Sequence, residues 1–486
     1  MKSIILLQIN YLMVMIRLGR AQVILFFVKN KFFSKLLSRK IFANSQCQNS
    51  FISEKTKKTC LHNLLMELAM KNYFGFLINR FFIFAFLAFF LSLSLANAKP
   101  EPPPEMLEWL KRGELGEYEP SQENWDEIVR KATEEGEVIV YTSSGRIQKL
   151  VKPFEKMYPG IKLTVHDLGS TKSVEKTKRE QQAGIYNADV VTTGNSGQVI
   201  HEMLNKNLLV NYVPHHFKSR IPEEYREPLL IRVNEAVVFF YNLEAFPNSA
   251  PVTNIWEFTE PRFKGRVGMK NPMSSGSTFM AVMTLIQHPQ EMAAAYKRYK
   301  GEEIKLSEGV PDAGYEFWAR MLKNDIVIFK SGSKLAAASG KKGQKKPLLA
   351  FANMTYIARN DSKGFVNGIV KDLDPIAKLL YPTFTAIARQ APHPNAAKVF
   401  TAFALGSTEL NKNSKLSKPY TKGVSSDLLL GLAPYFDPGT RSPRNDVPSP
   451  EGGEIWDEMT EWHVDADFMW KQGARIRDFW IQHSSM

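Results

Sequence analysis

Four short turns rich in serine, threonine and glycine carry the side chains with the clearest chemical potential. They occupy residues 142–145, 192–197, 271–278 and 331–333, and each follows a run of residues typical of a strand. At least three precede a helical run, and the start of a helix has unpaired N–H groups and a partial positive charge. Hydroxyl and N–H groups in this arrangement suit the oxygens of a phosphate or carboxylate. The same residue types also serve as simple helix caps, so both interpretations stay open.

If the four turns meet in one cleft, their polar side chains become candidates for contact with an anionic or polar organic ligand. Arg146 directly follows the first turn and could add a charge-assisted hydrogen bond, or could simply be a surface residue of a helix. The candidate ligand-binding residues in and beside the turns are Thr142, Ser143, Ser144, Arg146, Thr193, Asn195, Ser196, Ser274, Ser275, Ser277, Thr278, Ser331 and Ser333.

The elements around the first two turns alternate between strand and helix. Apolar runs predict strands at 137–141, 161–165 and 188–191, and periodic runs predict helices at 125–135, 146–158, 170–183 and 198–205. This β-α-β-α order is typical of a parallel sheet covered by helices. Because ligands of such sheets bind beyond the carboxyl ends of the strands, both turns are at the right edge for binding.

A second α/β unit is predicted from about residue 240 to residue 375, and the chain is then expected to continue the first. The predicted strands of this later part are 236–241, 326–329, 348–352 and 379–387, and its helices are 279–286, 313–324 and 395–405. The tail is distinct. Residues 437–453 read as a linker or extended arm, and residues 454–482 read as a helix that should pack on a lobe, because four tryptophans lie in it.

The front of the chain has the composition of a targeting segment. Residues 70–98 combine a basic start, a 15-residue apolar run and an Ala-Asn-Ala cleavage site, which predicts a cleaved secretory signal, with an uncleaved anchor as the alternative. We interpret residues 1–69 as a non-native upstream extension from a start codon placed too early, with a second membrane segment as the minority alternative. The protein is therefore predicted to be periplasmic.

The net charge of +14 does not indicate nucleic-acid binding. Residues 1–98 hold 13 Lys and Arg residues against two Glu residues, a charge of +11, which leaves only +3 for residues 99–486. Both cysteines, Cys47 and Cys60, are also in the front part, so the mature chain would use no disulfide.

Three groups of motifs give the mature chain a resemblance to a known family. They are segments 140–143 and 154–161, then Tyr241-Asn242 with Pro251 and segments 263–266 and 271–276, and finally segment 391–400. In order and spacing they resemble the periplasmic substrate-binding proteins of ABC importers, in the ferric-iron and AfuA-like branch of the type 2 fold. The resemblance covers roughly residues 135–410. It adds Tyr241, at the end of an apolar strand, to the candidate ligand-binding residues.

The resemblance implies an α/β protein with two lobes, a ligand cleft between them and, here, a helical C-terminal extension. The expected boundaries are 99–238 for the first part of lobe 1, 239–378 for lobe 2, 379–436 for the return to lobe 1 and 437–486 for the linker and tryptophan-rich helix. Members of the branch bind ferric iron, phosphorylated sugars, phosphonates, thiamine or polyamines. Its iron binders use adjacent tyrosines late in the chain, whereas Tyr356 and Tyr381 are isolated here. We therefore favour a phosphorylated or carboxylated ligand, with ferric iron as the alternative.

Other functional classes have weaker support in the sequence. The chain has no G-x-S-x-G elbow, no Walker A motif and no cysteine beyond residue 60, so we predict a binding protein and not an enzyme. His201-Glu202 starts like a zinc-binding helix, but residue 205 is Asn where the second histidine would stand. We predict no metal, no cofactor and a monomer whose partners are a small ligand and a membrane permease. A periplasmic sensor or partner protein, and less readily a hydrolase, are the competing hypotheses.

Overall fold

The computed structural model describes residues 102–408 and 429–484. The predicted upstream extension and the predicted signal peptide both lie outside these residues. Within them, no helix has the length and apolar character needed to cross a membrane.

Twelve strands of the described residues form one mixed sheet. In chain order they are β1 (Glu137–Thr142), β2 (Lys162–Asp167), β3 (Val190–Thr193), β4 (Leu209–Val210), β5 (Ile231–Asn242), β6 (Val267–Lys270), β7 (Val327–Phe329), β8 (Leu349–Asn353), β9 (Asn367–Ile369), β10 (Lys378–Ala388), β11 (Thr440–Arg441) and β12 (Glu461–His463). The main path through the sheet is β2-β1-β3-β10-β5-β8-β6-β7. Strands β4 and β12 pair with β10, while β9 and β11 pair with β5.

The helices surround this sheet. In chain order they are α1 (Pro104–Gly113), α2 (Trp125–Glu135), α3 (Val151–Met157), α4 (Ser170–Gln182), α5 (Ser196–Gln198), α6 (His215–Lys218), α7 (Glu223–Arg226), α8 (Gly276–Gln287), α9 (Pro289–Lys300), α10 (Ala313–Lys323), α11 (Gly332–Gly340), α12 (Arg359–Lys363), α13 (Pro394–Ala404), α14 (Glu454–Glu458) and α15 (Ala466–Ser484). The predicted helix 125–135 is confirmed, with Asn124 capping its first turn and Gly136 ending it at φ +78°.

The sheet has two halves joined by two strands. We call β1, β2 and β3 with their helices the first half, and β6, β7 and β8 with theirs the second half. Strands within each half are parallel, as the sequence predicts. Parallel strands end at one edge, so the turns after β1 and β3 are neighbours: the N–H of Ser143 donates to the carbonyl of Thr192 at 3.1 Å. The turns after β6 and β7 are also neighbours, since the N–H of Asn271 donates to the carbonyl of Phe329 at 3.2 Å.

Strands β5 and β10 connect the halves. Strand β5 has 12 residues and is longer than the predicted 236–241, because its first part pairs with β10 and its last part with β8 and β9. Strand β10 is antiparallel to both β3 and β5. All residues of β5 except Tyr241 are buried. The apolar run from Ala236 to Phe240 agrees with this burial on both faces, whereas the first part of the strand also buries Arg232 and Glu235.

Two predicted helices in the first half are corrected by the structure. Segment 146–158 is a 3₁₀ helix over Gly145–Leu150 followed by α3. Starting the α-helix at Val151 places Pro153 in the first turn, where its missing N–H has no helical partner to lose. Segment 198–205 begins earlier, as α5, and continues through a π turn and a 3₁₀ turn to Asn207 at φ +55°.

Each half has its own apolar core. In the first half, Phe154 on α3 packs against Phe400 and Phe403 on α13, with ring centroids 5.9 and 5.2 Å apart. In the second half the largest buried side chains are Trp256 and Trp318, whose Nε1 atoms donate to the carbonyls of Met292 and Val282. Both tryptophans are therefore core residues with satisfied N–H groups, and burial of each contributes about 2–3 kcal/mol.

The C-terminal segment, which we define as residues 429–484, packs along both halves. Strand β11 extends the sheet beside β5, and β12 does so beside β10. Helix α15 contacts the first half where Met469 packs against Gly197, and it contacts the second half where Trp480 packs on Trp318 with ring centroids 5.7 Å apart. The predicted helix 454–482 is wrong in its middle: it is α14, β12 and α15, because the backbone around Thr460 pairs with the start of β10.

The predicted linker 437–453 is extended but firmly packed. The guanidinium of Arg444 is fully buried and donates to the carbonyls of Leu405 and Ser407 and to the carboxylate of Asp446. A buried arginine with these partners fixes the segment against the first half.

Candidate functional site

A cavity of about 450 Å³ lies between the two halves. The first half contributes Ser143, Ser144, Gly145, Arg146, Gly169, Ser170 and Gly194. The second half contributes Lys270, Ser274, Ser275, Gly276, Ser277, Met280, Asn353, Thr355, Tyr356 and Arg359, and the connecting strands contribute Glu235, Tyr381 and Thr383. The size suits a small solute, and the lining is polar.

The start of α8 faces this cavity without a side-chain cap. Ser275 stands at the N-cap position, but its hydroxyl accepts from the hydroxyl of Thr278 at 2.9 Å and lies 3.4 Å from that of Ser277. No side chain of the described residues accepts from the first N–H groups of α8. Because those groups retain their partial positive charge, this helix start can accept an anion.

The start of α4 faces the same space from the first half. Its N-cap is Gly169, which has φ +77° and no side chain to cap the helix. The two helix starts approach closely, since a Cβ placed on Gly276 would lie 2.5 Å from the hydroxyl oxygen of Ser170. The N-termini of α4 and α8 thus converge on one point from opposite walls.

Two cations of the second half have no carboxylate partner in the described part of the chain. Lys270 ends β6 beside the cavity, and burial lowers the pKa of its ammonium. Arg359 donates to the hydroxyl of Ser333 at 2.8 Å and lies over the ring of Tyr356 at 5.0 Å. A desolvated ammonium without a counter-charge favours binding of an anion.

Arg146 on the opposite wall has a counter-charge. Its Nη1 donates to Asp437 Oδ2 at 3.1 Å and to the carbonyl of Pro434 at 3.2 Å. Burial alone would lower the pKa of Arg146, but the carboxylates of Asp437 and Glu235 outweigh burial and raise it. Burial raises the pKa of Asp437 in spite of the attraction to Arg146.

The connecting strands supply the remaining polar groups. Glu235 accepts from the hydroxyl of Thr383 at 3.4 Å and interacts with Tyr381. Burial raises the pKa of both Tyr356 and Tyr381, and the carboxylate of Glu235 raises that of Tyr381 further. These tyrosines are far apart in sequence but line one cavity. Neutral phenols and one carboxylate can accept hydrogen bonds from hydroxyl or amino groups of a ligand.

The structure brings six of the fourteen predicted ligand-binding residues to the cavity. They are Ser143, Ser144, Arg146, Ser274, Ser275 and Ser277. Five of them belong to the turn after β1 or the turn after β6, and Arg146 directly follows the first of these turns, so the two turns meet across the cavity.

The other eight predicted residues do not line the cavity. In the first half, Thr142 accepts from the N–H of Ser144, Thr193 is buried, the amide of Asn195 bonds Gln198, and Ser196 contacts the sulfur of Met469. In the second half, Thr278 bonds Ser275, Ser331 caps α11, Ser333 accepts from Arg359, and Tyr241 packs beside Gly368. Most of them hold the local structure, through contacts that the sequence does not reveal.

Several cavity residues were missed by the sequence reasoning. Ser170 follows β2, so it stands at a strand end like the residues of the four predicted turns. Lys270 immediately precedes the predicted turn 271–278. Glu235 lies in β5 just before the predicted strand start, where a charge in a buried strand is itself a signal. For Arg359 and Thr383 the sequence offers no comparable signal.

No three His, Cys, Asp or Glu side chains are placed to hold a metal ion within residues 102–408 and 429–484. His201, from the incomplete zinc pattern, stacks on Trp470 of α15 with ring centroids 5.5 Å apart. His216 packs against Trp125 with ring centroids 4.8 Å apart.

Comparison with known sequences gives one family match. Residues 149–424 match the model of the bacterial extracellular solute-binding proteins, which is more than half of the chain. A search of curated proteins finds no match.

Comparison with solved structures identifies the fold. The chain is similar to the substrate-binding protein of an ABC transporter from Agrobacterium tumefaciens, with 14% identity, a TM-score of 0.50, and 72% of this chain and 94% of that chain covered. It is similar to apo ferric ion-binding protein A from Pasteurella haemolytica, with 15% identity, a TM-score of 0.51, and coverage of 72% and 98%. It is also similar to the periplasmic binding protein AfuA from Actinobacillus pleuropneumoniae with exogenous fructose-6-phosphate bound. The identity is 16%, the TM-score is 0.50, and 72% of this chain and 99% of that chain are covered. The fold is therefore the two-lobe α/β fold of periplasmic binding proteins, here with a C-terminal helix.

Proposed function

Because this chain belongs to the family of bacterial extracellular solute-binding proteins, we propose that it binds a small phosphorylated or carboxylated solute in the cavity and presents it to the permease of an ABC importer. The cavity closes around the ligand by a hinge motion of the two halves, with no chemical step. The protein works as a monomer in the periplasm.

One observation carries the choice of an anion. The starts of α4 and α8, which no side chain of the described residues caps, meet across the cavity at Ser170 and Gly276. Beside them lies the ammonium of Lys270, which has no carboxylate partner among the same residues. Backbone N–H groups bind the anion oxygens, serine hydroxyls complete the shell, and the ammonium supplies the counter-charge. Glu235 and the two tyrosines favour a ligand that also carries hydroxyl or amino groups.

Thermal unfolding with a small ligand panel tests this function. Inorganic phosphate and fructose 6-phosphate are the anionic probes, and fructose is the uncharged control. A ligand that binds only the folded protein stabilises it by RT ln(1 + [L]/Kd), about 2.7 kcal/mol at 100 times Kd. We expect a shift with at least one anion and none with fructose. No shift with either anion, or an equal shift with fructose, contradicts the proposal.

Native mass spectrometry identifies the ligand itself. Protein purified from its own periplasm is sprayed with and without mild denaturation, and we expect a retained mass that belongs to an anionic compound. A retained cationic or uncharged compound contradicts the proposed ligand class while leaving the transport role intact.

Ferric iron is the second candidate, because the structure brings Tyr356, Tyr381 and Glu235 to one cavity. Phenolate and carboxylate oxygens are suitable ligands for a hard cation. The raised pKa values of both tyrosines oppose it, as do the nearby cations Lys270 and Arg359. Titration with ferric citrate separates the two candidates: a visible phenolate-to-iron absorption band, lost in Tyr381→Phe, supports iron and contradicts the anion proposal.

A further inference from the structure

The C-terminal segment reaches the wall of the cavity at two points. Arg146 Nη1 donates to Asp437 Oδ2 and to the carbonyl of Pro434, while the phenol of Tyr435 donates to the hydroxyl of Ser144 at 3.0 Å. Arg146 and Ser144 both line the cavity. Residues 434–437 lie beyond the region that matches the family model, which ends at residue 424. The C-terminal segment therefore holds two cavity residues.

The contacts of Arg146 divide its guanidinium into two edges. The Nη1 edge is taken by Asp437 and Pro434, whereas Nε and Nη2 have no partner in the described residues. A guanidinium carries its five N–H groups in a fixed planar fork, so holding one edge sets the direction of the other. With the first edge held by the C-terminal segment, the second remains available to an anion in the cavity.

Asp437 is itself held firmly. Its side chain is 11% exposed, and its Oδ1 accepts from the N–H of Gly439 at 2.9 Å. The ring of Tyr435 contacts two guanidinium groups, with its centroid 5.3 Å from Cζ of Arg146 and 4.0 Å from Cζ of Arg232. These contacts stop both the carboxylate and the arginine from turning away, which makes the geometry reproducible from one binding event to the next.

We propose that Asp437 is a positioning residue for ligand binding: it holds Arg146 so that the free edge of the guanidinium points at an anion in the cavity. The role rests on the proposed function, because it requires an anionic ligand. It predicts that changing Asp437 alters the affinity for the ligand only while Arg146 is present. A purely structural role would instead affect affinity through the stability of the segment.

A double-mutant cycle tests the proposal, with fructose 6-phosphate and inorganic phosphate as probes in isothermal titration calorimetry. The variants are Asp437→Asn, Arg146→Met and the double variant. Asn keeps the acceptor for Gly439 but loses the charge that holds Arg146. We expect Asp437→Asn to weaken binding about tenfold, and the double variant to match Arg146→Met within about twofold, which indicates coupling. Unchanged or tighter binding by Asp437→Asn, or the same tenfold loss when Arg146 is absent, overturns the proposal.

Asp446→Asn is the matched control. Asp446 is another largely buried aspartate of the same segment, and it pairs with Arg220 and Arg444 away from the cavity. We expect it to lower the melting temperature and leave the dissociation constants unchanged. If it weakens binding as much as Asp437→Asn does, the effect is structural and the positioning role is wrong.

The two proposals can fail separately. If the unmodified protein binds no anion, the proposed function fails, and the positioning role fails with it. If the protein binds an anion and the cycle shows no coupling, only the positioning role fails.

If Asp437→Asn does not fold, Arg146→Lys provides the same test. Lysine keeps the charge but has a single nitrogen that cannot contact Asp437 and the ligand through two edges, so we expect about tenfold weaker binding. Equal affinity of Arg146→Lys overturns the proposal.

Discussion

The starts of α8 and α11 have the same residue types but differ in how their first N–H groups are satisfied. Both follow parallel neighbours in the second half, β6 and β7, and both begin with serine and glycine. At α11 the hydroxyl of Ser331 accepts from the N–H of Lys334, and the phenol of Tyr356 packs over Gly332. At α8 the hydroxyl of Ser275 is engaged with neighbouring hydroxyls, and the first N–H groups stay open to the cavity.

The difference shows that a serine at the N-cap position does not by itself decide between a cap and a binding site. What decides is the direction of the hydroxyl and what covers the helix start. On the proposed function, the closed start contributes to stability and the open one to ligand binding, so the two turns should respond to substitution in opposite ways.

Gly276→Val should give the largest effect. The added Cβ would meet the hydroxyl oxygen of Ser170 at 2.5 Å, and the β-branched side chain would cover the open N–H groups of α8. We expect the affinity for fructose 6-phosphate to fall by about 100-fold or more in calorimetry, which corresponds to a loss of about 2.8 kcal/mol of binding free energy. Gly473→Ala, on α15 with no atom nearer than 3.6 Å to the new Cβ, should bind normally. Normal binding by Gly276→Val would show that the open start is not used.

Lys270→Met should weaken anion binding about 10-fold to 100-fold, because a charge-assisted hydrogen bond is worth about 1.5–3 kcal/mol. The matched control is Lys330→Met, since Lys330 is the exposed lysine after β7, beside the closed turn. Calorimetry of both variants with fructose 6-phosphate measures the difference. Equal losses in the two variants would mean that only the overall charge matters.

The affinity for phosphate esters should fall as the pH rises toward the usual lysine pKa of 10.5. Burial lowers the pKa of Lys270, so its ammonium loses its proton below that value, while the phosphate stays dianionic above neutrality. The stability of the ligand-free protein depends on pH in the opposite direction. Between the lowered pKa and 10.5 the unfolded chain binds more protons, so the stability of the free protein rises with pH across that window. Lys270→Arg stays charged and should remove the fall in affinity; a pH profile unchanged by this substitution would exclude Lys270 as its cause.

The double substitution Ser275→Ala and Ser277→Ala should weaken ligand binding about tenfold, since each neutral hydrogen bond contributes about 0.5–1.5 kcal/mol. The melting temperature should change little, because neither hydroxyl accepts from the backbone of α8. Thermal unfolding and calorimetry on the same sample separate the two quantities. A large drop in melting temperature with unchanged affinity would reverse the assignment of the open turn.

Ser331→Ala should give the smallest effect, and in stability alone. The bond from the N–H of Lys334 is long, at 3.4 Å, so we expect a loss near the lower end for caps, about 0.5–1 kcal/mol of unfolding free energy. Urea unfolding measures this loss. Affinity for fructose 6-phosphate should be unaltered, and any weakening beyond about twofold would place this turn in the site as well.

Local sequence patterns predict most of the fold because each element satisfies its own periodicity. The predicted strands near 137–141 and 161–165 and helix 125–135 match the structure closely. The predictions fail where distant residues decide the outcome. Segment 454–482 is interrupted because an edge of β10 is available to it, and that edge lies about 80 residues earlier in the chain.

The candidate site is predictable in the same uneven way. The two turns that supply five of the six predicted cavity residues are recognisable from their position after strands. The partners of the cavity side chains are not: Asp437 holds Arg146 from nearly 300 residues away, and Arg359 donates to Ser333 in the turn after β7. Sequence spacing carries no information about such contacts, because they depend on how the lobes and the C-terminal segment pack.

Helix α15 contacts both halves of the molecule. Its contacts with Gly197 and His201 belong to the first half, and its contacts with Tyr315 and Trp318 belong to the second. Any change in the relative position of the halves must therefore strain or release one of these two sets. The apolar side chains of α15 therefore contribute to the free energy of unfolding, and under the proposed hinge closure they would also contribute to the free energy of moving the halves.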